Sequence, residues 1–221
     1  DSCRLIALNL YSYVKNPFTA EAEFDMALFK EHSGKAMRLM DDLIDLEMEK
    51  IEAILGKIKS DPETEDVKRT ELDLWEKIKK KSLGGRGTGL GITAEGDMLA
   101  ALGMRYGSEK AIDFAVEVQQ NLAVEAYRSS VNMAAERGAF PIYDTKREEH
   151  NPMIDRIRTA DPALYELMAK VGRRNISLLT IAPTGTTSLM TQTTSGIEPV
   201  FLPFYIRRRK VNPNDKNAVI T

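Results

Sequence analysis

From Met37 to Ile58 the apolar residues Met37, Met40, Ile44, Met48, Ile51, Leu55 and Ile58 recur at spacings of three and four. That period places them on one face of a long helix beginning near Ala20, with Asp41, Asp42, Asp45, Glu47, Glu49 and Glu52 on the polar side, where solvation is expected. "SDPETED" (60–66) reads as a turn and a new helix start, with Ser60 as cap and Pro62 in the first turn. The following helix turns Leu72, Trp75, Ile78 and Leu83 inward. "GGRGTGLGIT" (84–93) ends it and leads into a short strand. A short helix is expected over 96–103. A long one follows, capped by Ser108 and closed by Gly138. "AFPIYD" (139–144) reads as extended, and Asp161-Pro162 starts a helix that closes near Gly172. Strands are expected over 4–14, 176–181 and 199–211.

Isolated strands among helices indicate an α/β class, and no repeat, low-complexity tract or linker divides residues 1–221 into more than one domain. The strand that begins only a few residues after Asp1 reads as a segment of something longer. A net charge of −2 supplies no global basic field for nucleic acid, and no apolar run reaches the roughly 18 residues needed to span a membrane. With Cys3 as the single cysteine, no internal disulfide forms, which fits a reducing compartment such as the cytoplasm. One cysteine and two separated histidines, His32 and His150, argue against a structural zinc site, and no residue is assigned to a metal.

The chemistry concentrates in "IAPTGTTSLM" (181–190). A strand that empties into Pro183, Thr184, Gly185, Thr186 and Thr187 brings hydroxyls and backbone amides to one place. Gly185 permits close approach of a ligand, and a helix starting there favours an anion. No Lys follows the Gly, so this is not a Walker loop. On pattern alone, a phosphate site and an ordinary capped strand-to-helix turn both remain open. Glu198 reads first as a structural carboxylate. "RRRK" (207–210) reads as a solvated strand end rather than a contact for phosphate or nucleic acid. Trp75 and the methionines read as core.

"LLTIAPTGTTSLMTQTTSGIEPVF" resembles the catalytic subunit of ribonucleotide reductase, and its Ala-Pro-Thr-Gly form is similar to the adenosylcobalamin-dependent class II branch. "SCRLIALNLYSYV", "RGTGLGITAEGDMLAALGMRYGSEKA" and "EAYRSSVNMAAERGAFPIYD" resemble further family segments in the same order. The resemblance implies that the chain is the second half of a ten-stranded α/β barrel. It implies that Cys3 is one member of a redox-active cysteine pair. It also implies that Pro183, Thr184, Gly185, Thr186 and Thr187 hold the phosphate end of a ribonucleotide. The implied partners are the missing N-terminal half of the barrel, which carries the other redox cysteine and the radical-forming cysteine, and a dithiol reductant such as thioredoxin. The implied cofactor of the complete enzyme is adenosylcobalamin. Two alternatives stay open: a class I large subunit, and a non-catalytic phosphate-binding half-barrel or scaffold.

Overall fold

The computed structural model describes residues 3–200, 202, 204 and 206. Strand β1 (Leu5–Asn9) pairs in parallel with β4 (Gly89–Thr93), with Leu5 opposite Gly89 and Asn9 opposite Thr93. The strand expected over 4–14 is interrupted: a 3-10 turn occupies Leu10–Tyr13. Leu10 and Tyr13 are both buried, and residues three apart on a straight strand would face opposite sides. A short antiparallel ribbon follows, β2 (Val14–Lys15) with β3 (Glu23–Phe24).

Helix α1 (Met26–Ser60) starts later than its apolar pattern implied, at Asp25, whose carboxylate accepts from Leu28 N–H. It also ends later. Ser60 is its last residue and donates to the Lys57 carbonyl instead of capping a new helix. Pro62 lies in the bend beyond it, and Asp61, just before the proline, is extended. Helix α2 (Glu65–Gly85) then returns antiparallel to α1. The distal part of this pair has its own small core, Met48, Ile51 and Leu55 against Leu72, Trp75, Ile78 and Leu83.

After β4 come α3 (Glu95–Ala101) and α4 (Glu109–Arg137), the latter bounded by Ser108 and Gly138 as expected. Residues 139–144 are not extended: Tyr143 N–H closes a turn on the Phe140 carbonyl. Helix α5 (Pro152–Ala160), capped by Asn151, was not anticipated; α6 (Pro162–Val171), capped by Asp161, was. Among the described residues, the expected strand at 176–181 makes only one bridge, Leu179 to Leu90, parallel to β4. The amides of Thr88 and Leu90 donate to consecutive carbonyls, Ser177 and Leu178, so the ladder slips by one residue. Helix α7 (Gly185–Thr191) follows. The strand expected over 199–211 falls largely outside the described residues, and Arg207–Lys210 wholly outside them.

The main core lies on one side of the sheet. Leu90 and Ile92 of β4, with Ile6 and Leu8 of β1 against them, pack on Phe29, Met37 and Met40 of α1 and Val118, Leu122 and Val131 of α4. By strand alternation Leu5, Ala7, Asn9, Gly89, Gly91 and Thr93 form the other face. No closed barrel forms among the described residues.

Candidate functional site

Because β1, β4 and the 177–180 segment are parallel, their carboxyl ends lie together, the usual position for ligands in parallel α/β sheets. Thr93 closes β4 there, and its hydroxyl lies 3.0 Å from that of Thr184. Thr93 donates to the Thr194 carbonyl at 3.2 Å, which leaves Thr184 as the donor between the two hydroxyls. Thr184 Oγ1 in turn accepts Gly196 N–H at 2.8 Å. Thr184 is left-handed at φ 50°, an unfavourable conformation for a β-branched residue, and it precedes α7 without capping it through its side chain. Its hydroxyl therefore ties the loop to β4 and to the Thr193–Glu198 turn.

The other loop residues differ in character. Pro183, Gly185, Thr186 and Thr187 are exposed. A Cβ on Gly185 would meet no protein atom within 4 Å. The second turn is clamped from several sides: Asp97 accepts Thr194 N–H at 2.5 Å, Glu95 N–H donates to the Gly196 carbonyl, and Tyr106 OH donates to the Ile197 carbonyl at 2.9 Å. Glu198 is exposed, its carboxylate folded back so that Oε2 lies 2.8 Å from the Cβ position of Gly196.

Cys3 is exposed and free. It lies at the amino end of β1, whereas the threonine loop lies at the carboxyl ends. About six residues of parallel strand, roughly 20 Å, separate their levels. The chain thus does not bring Cys3 and the loop into contact. It does place them on a common face. Arg4, next to Cys3, turns toward the helices, where it meets Glu47 on α1 and Ser82 on α2; alternation turns Cys3 to the side of Ala7, Gly91 and Thr93.

Two carboxylates near this frame have environments that the sequence did not disclose. Asp41, expected to be solvated, is fully buried. It accepts from Arg86 Nε (2.7 Å), Arg174 Nε (3.2 Å) and Asn175 Nδ2 (2.9 Å). Burial alone would push its carboxyl up, but the hydrogen bond and charge of Arg86, with Asn175 and Arg174, outweigh that and hold it below the usual range. Asp42 and Asp45 lie beside it, and the counter-charges are the guanidiniums of Arg137 and Arg86. Glu95, the first residue of α3, is also buried, and burial pushes its carboxyl up. Gln119 on α4 offsets part of that shift, although its Nε2 is itself buried without a well-formed hydrogen bond.

Residues 1–217 match the family described as "Ribonucleotide reductase, barrel domain". The chain is 30% identical over 208 residues to a protein of Mycobacterium tuberculosis (strain CDC 1551 / Oshkosh) named "Vitamin B12-dependent ribonucleoside-diphosphate reductase", covering 94% of this chain and 23% of that protein. A protein of the same name from Thermoplasma acidophilum is 27% identical over 208 residues, covering 94% of this chain and 21% of its own length. A "Ribonucleoside-diphosphate reductase subunit alpha" of Chlamydia pneumoniae is 27% identical over 224 residues, with 93% and 19% covered. The chain spans about a fifth of the length of these curated relatives. With the barrel-domain match running through both the Cys3 strand and the threonine loop, the chain belongs to the ribonucleotide reductase family.

Proposed function

We propose that this chain is the second half of a ten-stranded α/β barrel, a single domain, in a cytoplasmic reductase that converts ribonucleotides to 2′-deoxyribonucleotides. In this reading the 183–187 loop holds the substrate phosphates. Thr186 and Thr187 supply hydroxyls, the amides around Gly185 supply donors, and Pro183 fixes the entry of the chain. Thr184 has a different part: its hydroxyl holds the loop in place. The observation that carries the reading is Thr184 itself, a β-branched residue in left-handed backbone, fixed at the carboxyl end of β4 by Thr93 and Gly196. Strain of this kind persists only where its surroundings impose it, and it clusters at ligand sites.

Cys3 would supply reducing equivalents along the same face. The step balances with a second cysteine from the other half of the barrel. Two thiols become a disulfide, the 2′-hydroxyl leaves as water, and C2′ gains a hydrogen. A dithiol such as thioredoxin then restores the thiols by exchange. The relatives named for vitamin B12 point to adenosylcobalamin, which supplies radical initiation when bound. The grooves between α1 and α2 and between α1 and α4 are lined mainly by Lys, Arg and Glu side chains, a poor match for a corrin ring.

The test is binding of a ribonucleotide against its nucleoside by the whole protein. The nucleotide should bind better, and Thr186→Ala should reduce that advantage on the order of tenfold to a hundredfold, the scale of a hydrogen bond to a charged group. Gly185→Val should reduce it further without unfolding the protein, because its side chain meets open space. Equal binding of nucleoside and nucleotide would overturn the reading.

A further inference from the structure

Three consecutive residues, Arg173, Arg174 and Asn175, stand immediately before the segment that carries the threonine loop, and each is held by several fixed partners. Arg173 is 2% exposed. Its guanidinium lies 5.4–5.7 Å from the ring centroids of Tyr127, Phe140 and Tyr143, pairs with Glu148 through both terminal nitrogens, and donates to the Asn175 and Ile176 carbonyls. Arg174 reaches Asp41 and the carbonyls of Arg137 and Gly138.

Asn175 is fully buried and fully used. Its two amide hydrogens go to Asp41 Oδ1 (2.9 Å) and to the Arg86 carbonyl (3.0 Å), and its Oδ1 accepts from Ser130 Oγ (2.9 Å). Ser130 Oγ also accepts the backbone N–H groups of Arg174 and Asn175. Asp41 holds Arg86 in turn, and Arg86 is the left-handed residue that ends α2 three positions before β4. One buried carboxylate on α1 thus fixes the residue leading into β4 and the residue leading into the 177–180 segment.

The segment beyond Asn175 needs such a constraint. It makes one bridge to β4 and slips by one residue against it, so its own ladder specifies its register weakly. Thr184 must still arrive beside Thr93 and Gly196.

We infer that Asp41 and Asn175, with Ser130, are positioning residues: their contact sets the register of residues 176–184 on β4 and thereby the place of the threonine loop. The ligand half of this inference rests on the phosphate reading above; the register half does not.

The test uses the whole protein with Asn175→Asp, which keeps the side-chain shape but removes both donors and sets a carboxylate against Asp41. Ser130→Ala is the milder second variant. Leu55→Ala, in the distal α1–α2 core, is the control for a general loss of stability. Amide hydrogen exchange at Thr180 and Gly196, whose N–H groups bond Leu90 and Thr184, reads the register. Asn175→Asp and Ser130→Ala should both speed exchange there by about tenfold or more, the scale of one lost buried hydrogen bond, and Leu55→Ala should not. The nucleotide-over-nucleoside binding ratio should fall in those two variants and stay constant in the control. Faster exchange in a protein whose wild type shows no nucleotide advantage would sustain the register lock and remove the phosphate reading. Unchanged exchange in both Asn175→Asp and Ser130→Ala, or equal changes in Leu55→Ala, would overturn the inference. An Asn175→Asp protein that does not fold leaves Ser130→Ala to decide by the same readings.

Discussion

The carbonyl oxygen of Thr180 lies 2.0 Å from the point that a Cβ on Gly91 would occupy. No side chain fits at that separation, and the obstacle is backbone rather than a movable side-chain tip. The glycine in the middle of β4 therefore admits the neighbouring segment, a close backbone approach of the kind that glycine in a strand commonly marks.

Gly91→Ala should displace the 177–182 segment and destabilise the protein by about 1–3 kcal/mol, the range for forcing atoms into a packed interior. Gly34→Ala is the matched control. Gly34 lies inside α1, where a Cβ meets no atom within 4 Å, and replacing a helical glycine with alanine stabilises by roughly 0.5–1 kcal/mol. Chemical denaturation of the two variants should give opposite signs. A neutral Gly91→Ala would show that the segment is not held so closely.

Glu95 gives a prediction with a definite pH sign. Its folded-state pKa is raised by burial, so its contribution is fully present below the unfolded pKa, about 4.3, and is lost as pH rises through the folded value. Glu95→Gln keeps the shape and never ionises. The variant should match the wild type near pH 4 and melt at a higher temperature near pH 7. Melting curves that stay parallel across this range would show that the carboxylate is not penalised in the fold.

What the sequence disclosed and what it hid follow from the range of the interactions. The α1 face from Met37 to Ile58 and the caps Ser108 and Asp161 are local signals, and the structure has them. Helix α5 was equally local: Asn151 accepts Met153 N–H, Pro152 takes the first turn, and Ile154 and Ile157 are buried three apart, a signal that the charged residues around them masked. The burial of Asp41 had no local sign, because its counter-charges arrive from Arg86 and Arg174, 45 and 133 positions away. The apolar character of 176–181 was visible, but the one-residue slip against Thr88 and Leu90 belongs to the pairing, not to the segment. The threonine loop was legible as chemistry. That Thr184 turns its hydroxyl inward to Thr93 and Gly196 was not, since it depends on a left-handed backbone and on a residue 12 positions further along.

The central claim, that Cys3 supplies reducing equivalents while the threonine loop holds the ribonucleotide, is tested most directly by turnover of Cys3→Ser in the whole reductase. Cys3 is exposed, and serine changes little there beyond the sulfur, so substrate binding should persist. Without that thiol no disulfide with the second cysteine can form, and a dithiol reductant has nothing to regenerate. The account predicts that the variant binds ribonucleotide like the wild type and fails to sustain multiple turnovers of deoxyribonucleotide with a dithiol. Sustained turnover at the wild-type rate would contradict it.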